Sequence, residues 1–503
     1  MRTNQHLPVA VIGAGPVGLA AAALLIASEI RPVIFEKGPS VASAVRSWSH
    51  VRVFSPWKFN IDEAARLLLK PSDWKEPDPE GLPTGGEMLR DYLEPLANHP
   101  TISENIRFNA TVQSVVRKGF DKVSTTGRDD APFHITWIDG DGREHVTEAS
   151  AVIDASGTWF SPNPMGANGL PVDGEKDASA RIDYGIPDVL RQARSRYANK
   201  KVLVVGAGHS AINAVLDLLR LQESAPRTRV VWSLRRNRLD KLFGGGLNDK
   251  LPARGELGLA ARRAIAENRL ELLVPFAPDR IRQTSSGLTI SGIHNGQAIA
   301  FSVDEVIVAT GFRPDVEIFR ELRISLDPAL EAPPALAPLI DPNLHSCGTV
   351  PPHGVAELSH PEKGFYIVGS KSYGRAPTFL MATGYEQVRS IVAEIAGDHE
   401  AARDVRLVLP ETGVCNSSRK TESSACCGSQ ESRILKQTVY AKIPVLNAPQ
   451  PPDTGCCGGP AKDLQGACCV KDEEAKKAGE EGCGCGTKKS DSSVSVASGS
   501  CCG

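Results

Sequence analysis

Three glycines, Gly13, Gly15 and Gly18, followed by Glu36, form a pattern suited to binding a dinucleotide. The first glycine permits a tight turn, the second lets backbone approach a pyrophosphate, and the third lets a helix pack on a strand. The helix that starts there offers its free N–H groups and positive dipole end to phosphate. Glu36 closes the next strand, where a carboxylate accepts hydrogen bonds from ribose hydroxyls. The pattern recurs at Gly206, Gly208 and Ala211. The strand after that second loop runs into Arg235 and Arg236 instead of an acid. A basic pair at that place favours a 2′-phosphate, so the second site is expected to take NADPH rather than NADH.

A second group of reactive residues is the cysteines. Of twelve, only Cys347 precedes residue 415. It sits among His345, His353 and His360, where a thiol could serve as a low-pKa nucleophile, making it the one catalytic candidate, or could be an inert loop residue. Ten others fall in close pairs: Cys426 with Cys427, Cys456 with Cys457, Cys468 with Cys469, Cys483 with Cys485, and Cys501 with Cys502. Adjacent thiols close a disulfide only with strain, whereas two neighbouring sulfurs clasp one soft ion. Trivalent arsenic or antimony, Hg(II), Cd(II) and Cu(I) are the matching ions. Zinc fits less well, because its structural sites favour C-x₂₋₄-C spacing with a second such pair.

The elements that must position these residues read clearly. Pro8–Ile12 and Pro32–Phe35 are strands flanking the first glycine loop, with an apolar helix to about Ser28 between them. Lys201–Val205 and Arg229–Trp232 flank the second, with a helix to about Leu221. Gly244–Gly246 through Gly255 reads as a mobile loop, either placed to cover a cleft or an ordinary surface loop. At 503 residues, 41 % apolar and 23 % charged, the chain suits a globular enzyme of about three units. Its net charge of −2 and 5 % aromatic content argue against nucleic acid as partner. Val9–Glu29 is long enough to span a membrane, but its glycine cluster suits a strand–turn–helix, so no membrane association is expected. With one cysteine in 414 residues, the body reads as cytoplasmic and reduced. From Cys415 onward, glycine, serine and charge dominate, and a largely disordered tail is expected, with apolar content only in Ile434–Leu446.

Val152–Gly157 and Val306–Gly311 are each a buried strand closing on a small-residue turn. They resemble the hinge turns of flavoproteins in which an NADPH domain is inserted into an FAD domain. Gly364–Gly369 resembles the last strand of such an FAD domain, followed by a helix over about 383–396. The resemblance implies two α/β, Rossmann-like, three-layer domains: an FAD domain from 1–155 and 311–400, a linker and NADPH domain over 156–310, and a tail over 401–503. It assigns Gly311 and Gly369 to cofactor contacts.

Arg46-Ser47-Trp48 and Val51-Arg52-Val53-Phe54-Ser55-Pro56 resemble the flavin-contacting loop of flavin-containing monooxygenases, which adds Trp48 and Arg52 to the FAD site. Two positions depart from that family. Trp159–Asp183 lacks the histidine of its F-x-G-x-x-x-H linker, and Gly369 is followed by Ser370 where related reductases carry aspartate. A narrower likeness is to flavoproteins of arsenic-resistance operons.

Three activities follow from these readings. The first is an FAD- and NADPH-dependent monooxygenase that places one oxygen of O₂ on a soft nucleophile (sulfur, nitrogen or trivalent arsenic) in metalloid or xenobiotic detoxification. The second is a disulfide- or metal(loid)-reducing oxidoreductase fed by the tail, whose Gly499–Gly503 end resembles the redox tails of large thioredoxin and mercuric reductases. The third is an oxidoreductase whose tail sequesters metal. A homo-oligomer is left open.

Overall fold

In the computed structural model, residues 6–237, 251–344, 350–376 and 379–407 are described. Cys347, the tail cysteines and Gly244–Gly246 lie outside them.

The chain opens with β1 (Val9–Ile12), β2 (Pro32–Phe35) and β3 (Ile106–Arg107). It passes through an antiparallel meander, β4 (Thr111–Arg117), β5 (Phe133–Ile138) and β6 (Glu144–Ala149), and returns as β7 (Ala151–Asp154). After β8 (Ile182–Tyr184), the same series repeats as β9 (Lys201–Val205), β10 (Arg229–Ser233), β11 (Glu271–Leu273), the meander β12 (Phe276–Gln283), β13 (Leu288–His294) and β14 (Gln297–Val303), and β15 (Glu305–Val308). β16 (Phe365–Ile367) closes the series.

Two five-stranded parallel sheets result, ordered β16-β7-β1-β2-β3 and β11-β10-β9-β15-β8. The repeat is therefore complete: β7-β1-β2-β3 matches β15-β9-β10-β11, and each unit inserts its meander before its returning strand. All of β8 to β15 lies between β7 and β16, so the second unit is inserted into the first.

Both sheets are covered on both faces, which is why their strands are nearly all apolar. Val9 and Val11 pack with helices Pro16–Ala27 and Met381–Ala396, whereas Ala10 and Ile12 face a second core that includes Phe133 and Ile135 of the meander. In the second unit, Val202 and Val204 face helix His209–Ser224, and Leu203 and Val205 face Phe276 and Ile290. Helix, sheet and meander make three layers. Pro252–Gly255, expected as part of a loop, instead opens the helix Pro252–Ala266, with Pro252 in the first turn, where its missing N–H costs nothing. No helix among the described residues is long and apolar enough to cross a membrane.

The first unit is fastened by a buried charge cluster. Glu362, just ahead of β16, accepts from Arg117 Nε and Arg128 Nη2, each at 2.7 Å, and from the Arg323 N–H at 2.8 Å. Arg117 also lies 3.8 Å over the Phe133 ring. Burial pushes the Glu362 carboxyl up, but that N–H and the guanidiniums outweigh it and hold the pKa below the usual 4.5. Glu362→Gln should therefore lower unfolding free energy by about 3–5 kcal/mol, because it strands two buried guanidiniums. A group whose folded pKa is depressed stabilises above its unfolded pKa and loses that effect as pH falls through the folded value. In urea unfolding, the gap between parent and variant should hold at neutral pH and close in acid below 4.5. A gap independent of pH would refute this account.

Candidate functional site

The first glycine of each loop meets the turn that follows the returning strand. Gly13 has φ +100°, and a β-carbon there would lie 2.7 Å from the Ala155 carbonyl oxygen. Gly206 has φ +142°, and a β-carbon there would overlap the Ala309 carbonyl. The register is fixed by matching bonds: the Ala155 N–H donates to Ile12 O at 2.9 Å, and the Ala309 N–H to Val205 O at 2.8 Å. At Gly18, a side chain would collide with Gly13 O, so this glycine sets the contact of helix and loop. Gly15 and Gly208 are different: nothing lies within 4 Å of a β-carbon built on either. Each precedes the first residue of a helix, at Pro16 and His209, with free space before the N–H groups. That space, with a positive helix end behind it, suits a pyrophosphate. Ala211, in the third-glycine position of the second loop, is fully buried in its helix.

Glu36 is 6 % exposed and sits beside the first loop. Oε2 accepts from the Ala14 N–H at 2.9 Å and Oε1 from the Gly38 N–H at 3.0 Å. A carboxylate has about four acceptor positions, so it holds the loop and keeps capacity for ribose hydroxyls. In the second unit, Arg235 and Arg236 are exposed just past β10, and Arg235 Nη1 donates to Ala167 O at 2.7 Å. The residues fit their groups: a carboxylate to accept from ribose hydroxyls in one unit and guanidiniums to donate to phosphate in the other.

Trp48 and Arg52 share one loop, zipped to Pro83–Glu87. The Val53 N–H donates to Pro83 O, Gly85 N–H to Val51 O and Gly86 N–H to Ser49 O, at 2.8–2.9 Å. Trp48 covers Gly85, and its ring lies 6.5 Å from that of Trp159. Arg52 donates to Leu82 O and stands 3.5 Å from Glu87 Oε2. Arg52 borders a cleft of about 630 Å³ lined also by Arg46, Thr84, Asp188 and Arg191. From the same loop, Phe54 packs on His209, with ring centroids 5.2 Å apart, so this loop meets the helix start of the second unit.

Gly311 (φ +91°) takes the Asn163 N–H on its carbonyl at 2.9 Å. Gly369 (φ +69°) abuts Val17, and its N–H donates to Gln387 Oε1 at 2.8 Å. Gln387 in turn donates Nε2–H to His353 Nε2 at 2.9 Å, while His353 Nδ1 donates to Pro351 O at 3.1 Å, which makes the ring neutral. Burial lowers its pKa in keeping with that state.

Lys371 and Asp154 were not anticipated. The ammonium lies 2.7 Å from Asp154 Oδ2 and donates to Ser156 Oγ at 3.0 Å, and both charged residues are buried. The signal was present, since aspartate ends an otherwise apolar strand at Val152-Ile153-Asp154 and a lysine follows Gly369-Ser370. Among the described residues, no group of three or more His, Cys, Asp or Glu is arranged to hold a metal ion.

Residues 10–336 match the family model described as pyridine nucleotide-disulphide oxidoreductase. Among curated proteins, human flavin-containing monooxygenase 1 is 26 % identical over 228 residues, 43 % of this chain and 38 % of that protein. The probable indole-3-pyruvate monooxygenase YUCCA1 of Arabidopsis thaliana is 31 % identical over 220 residues, 43 % of this chain and 45 % of that protein. The chain thus spans less than half the length of either relative. Among solved structures, the bacillithiol disulfide reductase Bdr (YpdA) of Bacillus cereus superposes with a TM-score of 0.58 at 18 % identity, covering 78 % of this chain and 99 % of that one. That likeness concerns the fold alone.

The two kinds of glycine give a discriminating test. Gly18→Ala should destabilise the whole protein, because its β-carbon meets fixed backbone. Gly15→Ala, in ordinary extended backbone and open space, should melt within about 1 kcal/mol of the parent when flavin-free, yet retain much less FAD. Flavin content per chain together with thermal melts reads both effects. Equal flavin retention in Gly15→Ala and the parent would refute the assignment.

Proposed function

The chain belongs to the pyridine nucleotide-disulphide oxidoreductase family, and on that premise we propose that it is an FAD- and NADPH-dependent monooxygenase acting on a soft nucleophile. The observation that carries this reading is a count: residues 1–414 contain a single cysteine, Cys347. A disulfide reductase passes electrons from flavin to a paired dithiol, and one cysteine cannot form it. Flavin-containing and YUCCA-type monooxygenases among the relatives support the same choice.

In this reading, residues 1–155 and 311–400 hold FAD and residues 156–310 hold NADPH. When bound, the flavin supplies hydride acceptance and activation of O₂, chemistry that lies in the cofactor. The protein's part is to bind, orient and shield. Gly13, Gly15 and Gly18 receive the FAD pyrophosphate and Glu36 its ribose. Gly369, fixed by Gln387, and the loop bearing Trp48 and Arg52 flank the flavin. Gly206, Gly208 and Ala211 receive the NADPH pyrophosphate, and Arg235 and Arg236 the 2′-phosphate. Phe54 against His209 brings the two loops together, as hydride transfer between cofactors requires, and the Trp48–Trp159 pair lends an apolar wall that excludes water. One atom of O₂ goes to the substrate, and the other leaves as water with the two electrons and proton of NADPH and one further proton.

The substrate class we favour is sulfur, nitrogen or trivalent arsenic in detoxification, because the tail cysteine pairs suit the same thiophilic elements. A tail that passes electrons to a metal(loid) or disulfide is the competing version. The test is NADPH consumption by the yellow protein, with and without O₂, over arsenicals, thiols and amines. Turnover should stop without O₂; brisk anaerobic oxidation driven by a disulfide or metal ion would favour the reductase.

The tail makes a separate prediction. The reduced full chain should bind several equivalents of As(III) or Hg(II), and a full-length variant with the ten paired cysteines replaced by serine at most one. Affinity should fall as pH falls, because the thiolate is the ligand and protons compete for it. Equal stoichiometry for the two proteins would remove the metal-binding role.

A further inference from the structure

Residues 161–163 run antiparallel to 311–313 and form a two-stranded ribbon at the junction of the two units. The Asn163 N–H donates to Gly311 O at 2.9 Å, the Arg313 N–H to Ser161 O at 3.0 Å, and Thr310 Oγ1 to Asn163 O at 2.8 Å. Just beyond the ribbon, Gly166–Leu170 makes a tight turn, closed by the Gly169 N–H on Gly166 O at 3.0 Å and by the Leu170 N–H on Asn168 Oδ1 at 3.0 Å.

Two guanidiniums from different parts of the chain converge on this turn. Arg235, just past β10, donates Nη1 to Ala167 O at 2.7 Å, and Arg313, on the ribbon, donates Nη1 to Gly169 O at 3.3 Å. Those carbonyls are two residues apart, so chain geometry holds them within about 7 Å of one another. Arg375 reaches the edge of the same turn but is ion-paired to Glu331 at 2.8 Å. Among the described residues, Arg235 and Arg313 form no ion pair with a carboxylate, unlike Arg196, which meets both Glu305 and Asp183. Two guanidiniums are thus anchored on one turn with neutral carbonyls as their acceptors, and an anion with several acceptor oxygens bound at that turn would supply the counter-charge that neither has among the described residues.

We infer that Arg313 is a specificity-determining residue that joins Arg235 in gripping the adenosine 2′-phosphate of NADPH. The phosphate class follows from Arg235, which ends the second strand of its Rossmann unit, where the adenosine ribose substituent is read. Arg313 lies about 80 residues further along the chain, and nothing in a glycine-loop pattern points to it. It reaches the phosphate only because the ribbon carries the turn and Arg313 together. The inference rests on the NADPH reading above.

A binding experiment without turnover tests it. The full chain is titrated calorimetrically with 2′,5′-ADP and with 5′-AMP, which differ in the 2′-phosphate alone. The parent should prefer 2′,5′-ADP by a factor on the order of 100, the size expected for two charge-assisted contacts. Arg235→Gln and Arg313→Gln should each cut that ratio about tenfold, and Arg313→Lys, which keeps the charge without the fork, should fall between. If Arg313→Gln retains the parental ratio while Arg235→Gln loses it, or if it weakens both ligands equally, the residue is structural and the inference fails with the NADPH reading intact. If the parent shows no preference for 2′,5′-ADP, the NADPH reading itself fails.

Discussion

A peptide carbonyl standing where a β-carbon would have to go is the constraint on which this molecule is built. At the first glycine of each loop it takes the same form, at Gly13 against Ala155 and at Gly206 against Ala309. In each unit it fuses the glycine loop to the turn after the returning strand, so the floor of a nucleotide site and the exit from its unit are one contact. Because Ala155 and Ala309 lead into the two strands of the inter-unit ribbon, whatever moves one loop bears on the connection between units. The complete duplication of strand order, meander included, keeps both loops at equivalent sheet edges.

Buried charge is placed where apolar packing alone would leave the pieces free to slide. Asp154 and Lys371 join the exit turn of the first unit to the segment after β16, and Ser156 shares the ammonium. Glu362 joins Arg117, Arg128 and the backbone at Arg323, which belong to the meander, the loop before β5 and the segment before β16. Such clusters are costly to desolvate and add little net stability over an apolar replacement, but removing one partner is strongly destabilising. Directional bonds of this kind admit one register. A first unit assembled from chain segments more than two hundred residues apart needs that.

The family's name describes a dithiol chemistry for which residues 1–414 have too few sulfurs. What the architecture keeps from that family is the pairing of two dinucleotide sites across a hinge, and hydride delivery is as useful to an oxygenase as to a reductase. In the reading proposed above, the difference would lie in what the flavin meets next: the loop assigned beside it presents Trp48, Arg52 and Phe54, none of which carries a redox function of its own. The cysteine pairs stand apart in sequence from every nucleotide motif.

The two Rossmann units, their order and the residues of both glycine loops were legible from residue types and spacing alone. Strand–turn–helix packing depends on neighbours within some thirty residues, and at Gly18 a side chain is excluded by the local carbonyl of Gly13, whereas the carbonyls that exclude one at Gly13 and Gly206 arrive from the distant returning strands. The sequence also separated Glu36 from Arg235 and Arg236, because the residue ending the second strand is fixed in register with the loop. Tertiary structure alone decided the rest. The meanders were missed because their strands carry no chemistry-bearing motif, and Pro252–Gly255 was misread because a Gly/Pro-rich stretch also opens a helix. The Lys371–Asp154 pair, the Glu362 cluster, the Gln387–His353 support of Gly369 and the anchoring of Arg235 and Arg313 on the turn at 166–170 all join residues distant in the chain. A charged or polar side chain carries no sign of its partner in its own sequence neighbourhood; only the folded backbone, by closing those distances to hydrogen-bond length, makes Asp154 and Glu362 buried clasps.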